Sequence, residues 1–304
     1  MLLSVVIPIY QRQSLGERAL RSALAQDLGG QAELEVVAVD DASPQPFSLP
    51  EDLRDDPRVR VIRHAVNLGA AGARNTGIAA ARGDYIALLD SDDLWLAGKL
   101  ARQLRRAVVD RESSAQKRIY ATGFLTLHGP SGRVEALIPA EASGPADFAS
   151  GVWFMPGSTV LAHREVFALV GPADTSLRRL EDLDWFLRAG LAGVRLVVEP
   201  VIGAVIEVGA RPSFAAVNQA ARAIASKWAG DPALPNSVRR RLWAYLDLER
   251  AAAARYQGDW PRTLLWLASS FLRVPRLSLP LRRFWTKTRV DPTWLPTPTP
   301  AAPA

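Results

Sequence analysis

Gly83-Asp84-Tyr85-Ile86-Ala87-Leu88-Leu89-Asp90-Ser91-Asp92-Asp93 is the stretch on which the fold turns. Tyr85 to Leu89 is a short apolar run bounded by glycine on one side and an acidic cluster on the other, the pattern of a buried strand. A strand apolar on both faces belongs in a sheet covered on both sides, which is the habit of parallel sheets with helical crossovers. Toward the N-terminus, Gly72–Arg82 reads as a helix closed by Gly83. Val59–Arg63, Leu34–Val39 and Leu2–Ile9 read as buried strands. Glu17–Gln26 carries helical spacing at Leu20, Ala23 and Leu24. Strand alternating with helix predicts an α/β fold built on a single, mostly parallel, Rossmann-like sheet flanked by helices.

Toward the C-terminus, Ile119–Leu127, Arg133–Ile138 and Ser158–Leu161 read as strands, and Arg164–Val170 and Glu181–Ala189 as helices. Leu191–Val208 is the most apolar later stretch. It carries Arg195, Glu199 and Glu207, each costly at bilayer depth, so it reads as strand and not as a membrane span. From Pro212 the spacing turns helical: Phe214, Val217, Ala221, Ile224 and Trp228 share one face. A second helix, capped by Asn236 or Ser237, runs to Tyr256. Gly258-Asp259 turns the chain into a third, Trp260–Arg273. The expected division is a large α/β domain over 1–210, a C-terminal α-helical extension over 211–290, and a Pro-rich tail over 291–304, disordered or extended.

Composition removes several kinds of chemistry. The 304 residues include no cysteine and only three histidines, which excludes disulfides, thiolate metal sites and cysteine nucleophiles, and argues against a histidine-rich zinc site. Apolar residues make up 48%, enough for a packed core. Met1–Tyr10 lacks a basic leader, so a cytoplasmic protein is the expectation. The net charge is +6, and every charged residue from Arg262 to Arg289 is basic. Trp266, Phe271, Phe284 and Trp285 are interleaved there, and Pro275 and Pro280 rule out one long helix. Such a segment suits either the surface of an anionic membrane, with the protein peripheral at its inner face, or a packed helical subdomain.

In open α/β sheets, ligands bind beyond the carboxyl ends of the strands. Three polar clusters lie there: Pro8 to Gln11, Asp40 to Ser43, and Asp90 to Asp93. The Asp90-Ser91-Asp92 triplet offers hard oxygen ligands suited to Mg²⁺ or Mn²⁺; its plainer reading is a turn in which Ser91 or Asp93 caps a helix. Asp40 and Asp41 either bond their own backbone or contact a nucleobase. Asn67 to Gly77 is rich in small residues around Arg74, which suits either approach to a phosphate or close helix–sheet packing.

VVIPIYQR, VVAVDDAS, NLGAAGARNTGI, GDYIALLDSDD and EDLDWFLR stand in the order and spacing of family 2 glycosyltransferases, and the chain resembles that family over roughly residues 3 to 190. The resemblance implies the GT-A fold and an inverting transferase that uses a nucleotide-diphosphate sugar, UDP-linked by preference, in surface polysaccharide or glycolipid synthesis. It implies that Tyr10 and Asp41 contact the base, that Asp90 lies near the ribose, that Arg74 lines the donor site and that Asp92 binds Mg²⁺ or Mn²⁺. Pro8, Asn67, Gly72 and Ser91 complete the donor-site candidates. Asp182 takes the position of the catalytic base, and Trp153, Glu181 and Trp185 are candidates for contacting a sugar or lipid-linked acceptor, with core packing the plainer role for the tryptophans.

The chain departs from the family at Ala97, where proline is frequent. It departs at Gly171–Asp174, in place of a GGFDE-like turn, and at Ile206–Arg211, which lacks a histidine. No second protein ligand is therefore carried over, and the ion is expected to be loosely held. A nucleotidyltransferase would show a Gly-rich phosphate loop after the first strand, where Pro8-Ile9-Tyr10-Gln11 stands. A nucleic-acid-binding module would show a recognisable motif, and none is present.

Overall fold

The computed structural model describes residues 1–128, 132–209, 211–275 and 284–295. The first half alternates as the sequence predicts: β1 (Leu2–Ile9), α1 (Gln13–Leu24), β2 (Glu33–Asp40), β3 (Val59–Arg63), α2 (Gly69–Ala80) and β4 (Tyr85–Leu88). Then follow β5 (Leu94–Trp95), α3 (Lys99–Ser113), β6 (Arg118–His128), β7 (Arg133–Pro139), α4 (Pro145–Phe148), α5 (Pro156–Thr159), β8 (Leu161–His163), α6 (Arg164–Val170), α7 (Glu181–Leu191) and β9 (Arg195–Glu207). The chain ends with helices α8 (Phe214–Trp228), α9 (Asn236–Tyr256) and α10 (Trp260–Arg273), and strand β10 (Trp285–Thr288).

Among the described residues all strands join one sheet, in the order β10-β7-β6-β8-β4-β1-β2-β3, with β9 beside β6 and β5 beside β9. The half that carries the strand-end clusters, β4-β1-β2-β3, is parallel throughout. That is why Ile9, Asp40 and Leu88 finish on one rim. Alternate residues of β1 feed two cores. Leu3, Val5, Ile7 and Ile9 pack with α1 and α3, and Val6 packs with Ile86, Leu88, Phe167 and Trp185 on the other face. Gly77 lets α2 lie close on the sheet: a Cβ there would stand 2.3 Å from Val6 Cγ1. A third core, with Leu183, Leu187, Ile224, Trp228 and Leu242, docks α8 and α9 on α7.

Several expectations change. Ser158–Leu161 is not a strand. Pro156, with its fixed φ, opens one helical turn after Met155 (φ +48°), and the strand starts at Leu161. Helix α9 starts at Asn236 with Pro235 at its cap, so neither Asn236 nor Ser237 caps it. Residues 285–288 are not helical: they pair with β7 at the sheet edge. Phe284 stacks on Trp153 (4.6 Å between centroids), and Trp285 Nε1–H donates to Trp153 O (2.6 Å). The tail is ordered through Leu295, because Val290 and Trp294 pack on the sheet beside Leu125 and Ile202 and Pro292–Trp294 form a 3-10 turn. Its remainder, 296–304, lies outside the described residues, as do Arg276, Pro280, Arg282 and Arg283.

Candidate active site

The strand ends, α2, α5 and α7 enclose a cleft of about 580 Å³ lined by Arg74, Asp90, Asp93, Glu181 and Asp182, with an apolar back wall that includes Ile86, Leu88, Phe167 and Trp185. Arg74 is the hub. Its guanidinium donates to Asp90 Oδ1 (2.6 Å) and lies 3.4 Å from Glu181 Oε1. Burial works against its charge, but Asp90, Glu181 and Asp182 outweigh that and raise its pKa. A residue from the small-residue run thus ties the strand-end triplet to the last motif.

The triplet is held from below by α5, which the sequence reading missed. Ser158 Oγ accepts from Asp90 N–H (3.1 Å) and donates to Asp93 Oδ2 (2.5 Å). A Cβ at Gly157 would stand 2.0 Å from Asp90 Oδ2, so only glycine leaves that carboxylate in place. The sequence signal was the Pro156-Gly157 pair, a turn dipeptide. Gly157→Ala is expected to push Asp90 off Arg74 and lower kcat/KM by roughly 10- to 100-fold, the scale of an ångström misplacement. Gly230→Ala, with open space around it, is the control expected to keep full activity. Equal activity of the two variants would show that Asp90 does not need its present position.

Asp92 is a quarter exposed and pairs with Arg12 (2.5 Å). Arg18 bonds Asp92 O (2.8 Å) and Glu207 (2.6 Å), so Glu207 lies beside the triplet where the histidine-bearing segment was sought. Ser91 is buried. Asp93 is buried too, and its pKa is pushed up to about 8 by burial and by Asp90 and Asp92, a sign of excess negative charge. Among the described residues, no three carboxylate or imidazole side chains converge to cage an ion. One or two exposed carboxylates fit Mg²⁺, which keeps waters and takes its other ligands from phosphates.

Both Asp40 and Asp41 bond protein groups, Asp40 as the plainer reading of their cluster has it. Asp40 makes the turn, accepting from Ser43 N–H and Phe47 N–H (both 3.0 Å) and from Arg63. Burial opposes its charge, but these bonds hold its pKa below the usual range. Asp41 caps α2: its carboxylate accepts from Leu68 N–H (2.8 Å) and Gly69 N–H (2.7 Å). Its backbone carbonyl accepts from Asn67 Nδ2 (3.1 Å). His64, also missed, bridges Asp41 (2.7 Å) and Thr76 (2.9 Å). Gly72 is buried, and a Cβ there would meet Leu68 Cβ at 2.4 Å, so it serves packing. Pro8 lies within β1, paired to Val39. Tyr10 stands exposed beyond it, its hydroxyl bonded by Gln11 (3.0 Å).

On the far wall, α7 starts after Leu180 (φ +61°) and presents Glu181 and Asp182. Burial first, then Glu181, pushes the Asp182 pKa up to about 6, against the pull of Leu183 N–H and Arg74. Tyr245 and Glu249 of α9 stand within electrostatic range of Asp182 and bond each other (2.6 Å), so the helical extension lies behind this wall without lining the cleft. Asp184 points the other way. Fully buried, it takes Trp228 Nε1–H (3.0 Å), Lys227 (3.0 Å) and Arg188 (3.1 Å), and fastens α8 to α7. Trp185 lines the cleft, but its Nε1–H is spent on Gly171 O (2.8 Å). Trp153 is core and not an acceptor contact: it stacks on Phe284 and donates to Ala140 O (2.8 Å).

Known proteins share both the fold and the site-bearing segment. Solved structures of S. aureus TarS match with TM-scores of 0.60 to 0.61 at 18 to 20% identity, covering 91% of this chain. Of the 1-349 form of TarS, 82 to 83% is covered, and structures of that form are described in complex with UDP and with UDP-GlcNAc. The succinoglycan biosynthesis protein ExoO of Rhizobium meliloti is 44% identical over 34% of this chain and 28% of its own length. The Escherichia coli protein named UDP-Glc:alpha-D-GlcNAc-diphosphoundecaprenol beta-1,3-glucosyltransferase WfgD is 35% identical over 34% of this chain and 40% of its own length. The match thus spans well under half of each of these curated relatives. The family model "Glycosyl transferase family 2" matches residues 4–170, from the first strand through the triplet, Arg74 and the Gly157-Ser158 support. More than half of the chain lies within that match, and the chain belongs to glycosyl transferase family 2.

Proposed function

We propose that this transferase moves a sugar from a UDP-sugar to an acceptor hydroxyl in one displacement, with inversion at the anomeric carbon, in surface polysaccharide or glycolipid synthesis. The acceptor is a sugar hydroxyl, free or on a lipid carrier, met at the inner face of the cell membrane. The supporting observation is the Arg74 hub, which faces Asp90 and Asp182 across one cleft. The base stacks near Tyr10, at the edge made by Asp41 and Asn67, and the ribose lies toward Asp90. Asp92, with the donor phosphates, would hold Mg²⁺ or Mn²⁺, whose charge would offset that on the departing diphosphate. Asp182 accepts the acceptor proton as that oxygen bonds to the anomeric carbon and the bond to UDP breaks. A glycosidase would instead need two carboxyls working as a facing pair.

The TarS complexes with UDP and UDP-GlcNAc favour uridine, and the WfgD name, with its diphosphoundecaprenol acceptor, favours a lipid-linked acceptor for that relative. A thermal-shift screen of UDP, dTDP and GDP with Mg²⁺ or Mn²⁺ tests the donor reading. Ligand at about 100 times Kd stabilises by about 2.7 kcal/mol, or roughly 5 °C or more for a chain of this size. UDP with metal is expected to give the largest rise. A chain that no nucleoside diphosphate stabilises would refute the proposal.

A further inference from the structure

Helix α10 packs the wrong way round for a helix of a soluble protein. Its buried residues are Thr263 and Ser270, which donate to Asp259 O (2.7 Å) and Ala244 O (2.8 Å). Ser269 and Arg273 join this inner side by bonding Asp247 of α9 (2.7 and 2.9 Å). Trp266 lies under the Arg250 guanidinium, 4.7 Å from its ring centroid. At about 100° per residue, the opposite side is an unbroken arc of about 160° without a single charge. It holds Trp260 (60% exposed), Leu264 and Leu265 (both 62%), Leu267, Phe271 and Leu272 (79%).

We propose that this arc is a membrane-docking surface that seats the protein on an anionic bilayer. Charge selects the occupant. Residues 211–304 contain 15 basic and 5 acidic side chains, whereas residues 1–210 contain 22 basic and 26 acidic. Exposed Arg255 lies in the last turn of α9, five residues before α10 begins, and exposed Arg240 donates to Arg273 O at the last residue of α10 (2.9 Å), so a cation stands near each end of the helix. A second copy meeting this face would bring like charge against like charge, while anionic headgroups bring the opposite. The helix is one-sided and, at about 21 Å, shorter than a bilayer core is thick, so it lies in the interface and does not cross. Among the described residues, no helix is long and apolar enough to span a membrane.

Of the aromatic residues in the basic segment, Phe271 lies on this surface. Phe284 is buried, Trp285 is half-buried at the sheet edge and Trp266 faces inward, so leucines make up most of the determinant. Helix α9 carries α10 on one side and Tyr245 and Glu249, near Asp182, on another, which sets the acceptor wall one helix from the bilayer. This inference goes beyond the proposed function in saying how the chain meets the membrane, and no step of it depends on donor chemistry.

The test is sedimentation of the full chain with phosphatidylcholine vesicles, with and without phosphatidylglycerol, at low and high salt. Binding is expected only with the anionic lipid and is expected to weaken in high salt. The triple variant Leu264→Gln, Leu265→Gln, Leu272→Gln alters only exposed positions; it is expected to bind at least about tenfold more weakly while its UDP-induced thermal shift is unchanged. Arg255→Gln is expected to cost roughly fivefold at low salt, the worth of one surface cation. Absence of binding to anionic vesicles at low salt, or binding that the triple variant retains in full, overturns the proposal. So does a concentration-dependent dimer that the triple variant abolishes, which would make a second copy the occupant.

Discussion

Asp92→Asn is expected to abolish sugar transfer and leave the fold intact. The variant keeps the shape of the side chain and removes the charge that would hold a divalent ion on the donor diphosphate. Losing about 4 kcal/mol of leaving-group stabilisation corresponds to roughly 10³-fold in rate. The structural cost is small by comparison. The Asp92 carboxylate pairs with Arg12, and both side chains are partly in water (25% and 44% exposed), a setting worth at most about 1 kcal/mol. Activity should therefore fall by orders of magnitude with little change in Tm. Asp90→Asn should act differently, because Asp90 is bound to the buried Arg74: donor affinity falls, and turnover at saturating donor falls less. An active Asp92→Asn enzyme, or full wild-type activity in excess chelator, would remove the metal from the mechanism.

The elements that carry this chemistry were legible where local pattern alone decides structure. Leu2–Ile9 and Val59–Arg63 run as the apolar and β-branched residues predict, and the parallel order of β4, β1, β2 and β3 follows from their alternation with helices. Illegible features depend on partners far along the chain. Asp184 looks like any acidic residue at a helix start, favoured by the dipole. Only the fold brings Lys227 and Trp228, more than forty residues away, onto its carboxylate. The bonds from Asp41 to Leu68 N–H and Gly69 N–H could not be read from the sequence either, because they rest on α2 starting within reach of a side chain more than 25 residues earlier. Trp153 and Trp285 carry the same aromatic signal as a ligand-stacking residue, but the Trp153–Phe284 stack places Trp153 in the core and the strand pairing of 285–288 leaves Trp285 half-buried at the sheet edge. In α10 the spacing marks an amphipathic helix without saying which side faces in. That was settled by Asp247, which draws Ser269 and Arg273 inward and turns the leucines out.

Asp182→Asn is expected to retain UDP affinity and lose turnover by roughly 10²- to 10⁴-fold, the range for removal of a general base. The environment of Asp182 supplies an independent signature. Burial and the neighbouring Glu181 raise its pKa to about 6, because both disfavour the ionised form. A base works only when ionised, so wild-type kcat/KM should rise with pH through about 6 and level off above it. Glu181→Gln removes the negative neighbour and should move that limb to lower pH with only a modest loss of rate. Stability should run the opposite way. A carboxyl whose folded pKa is raised stabilises most below its unfolded pKa, near 4, and that contribution is lost as pH rises through about 6. Above pH 7 the ionised Asp182 is thus a burden on the fold, of up to about 3 kcal/mol, which Asn does not carry. Asp182→Asn should melt no lower than wild type at pH 8 while being nearly inactive. Asp184→Asn should show the reverse, a lowered Tm from loosening Arg188, Lys227 and Trp228, with activity kept per folded molecule. If Asp184→Asn were the folded but inactive variant, or if the acid limb stayed in place in Glu181→Gln, the base would have to be sought elsewhere on the cleft wall.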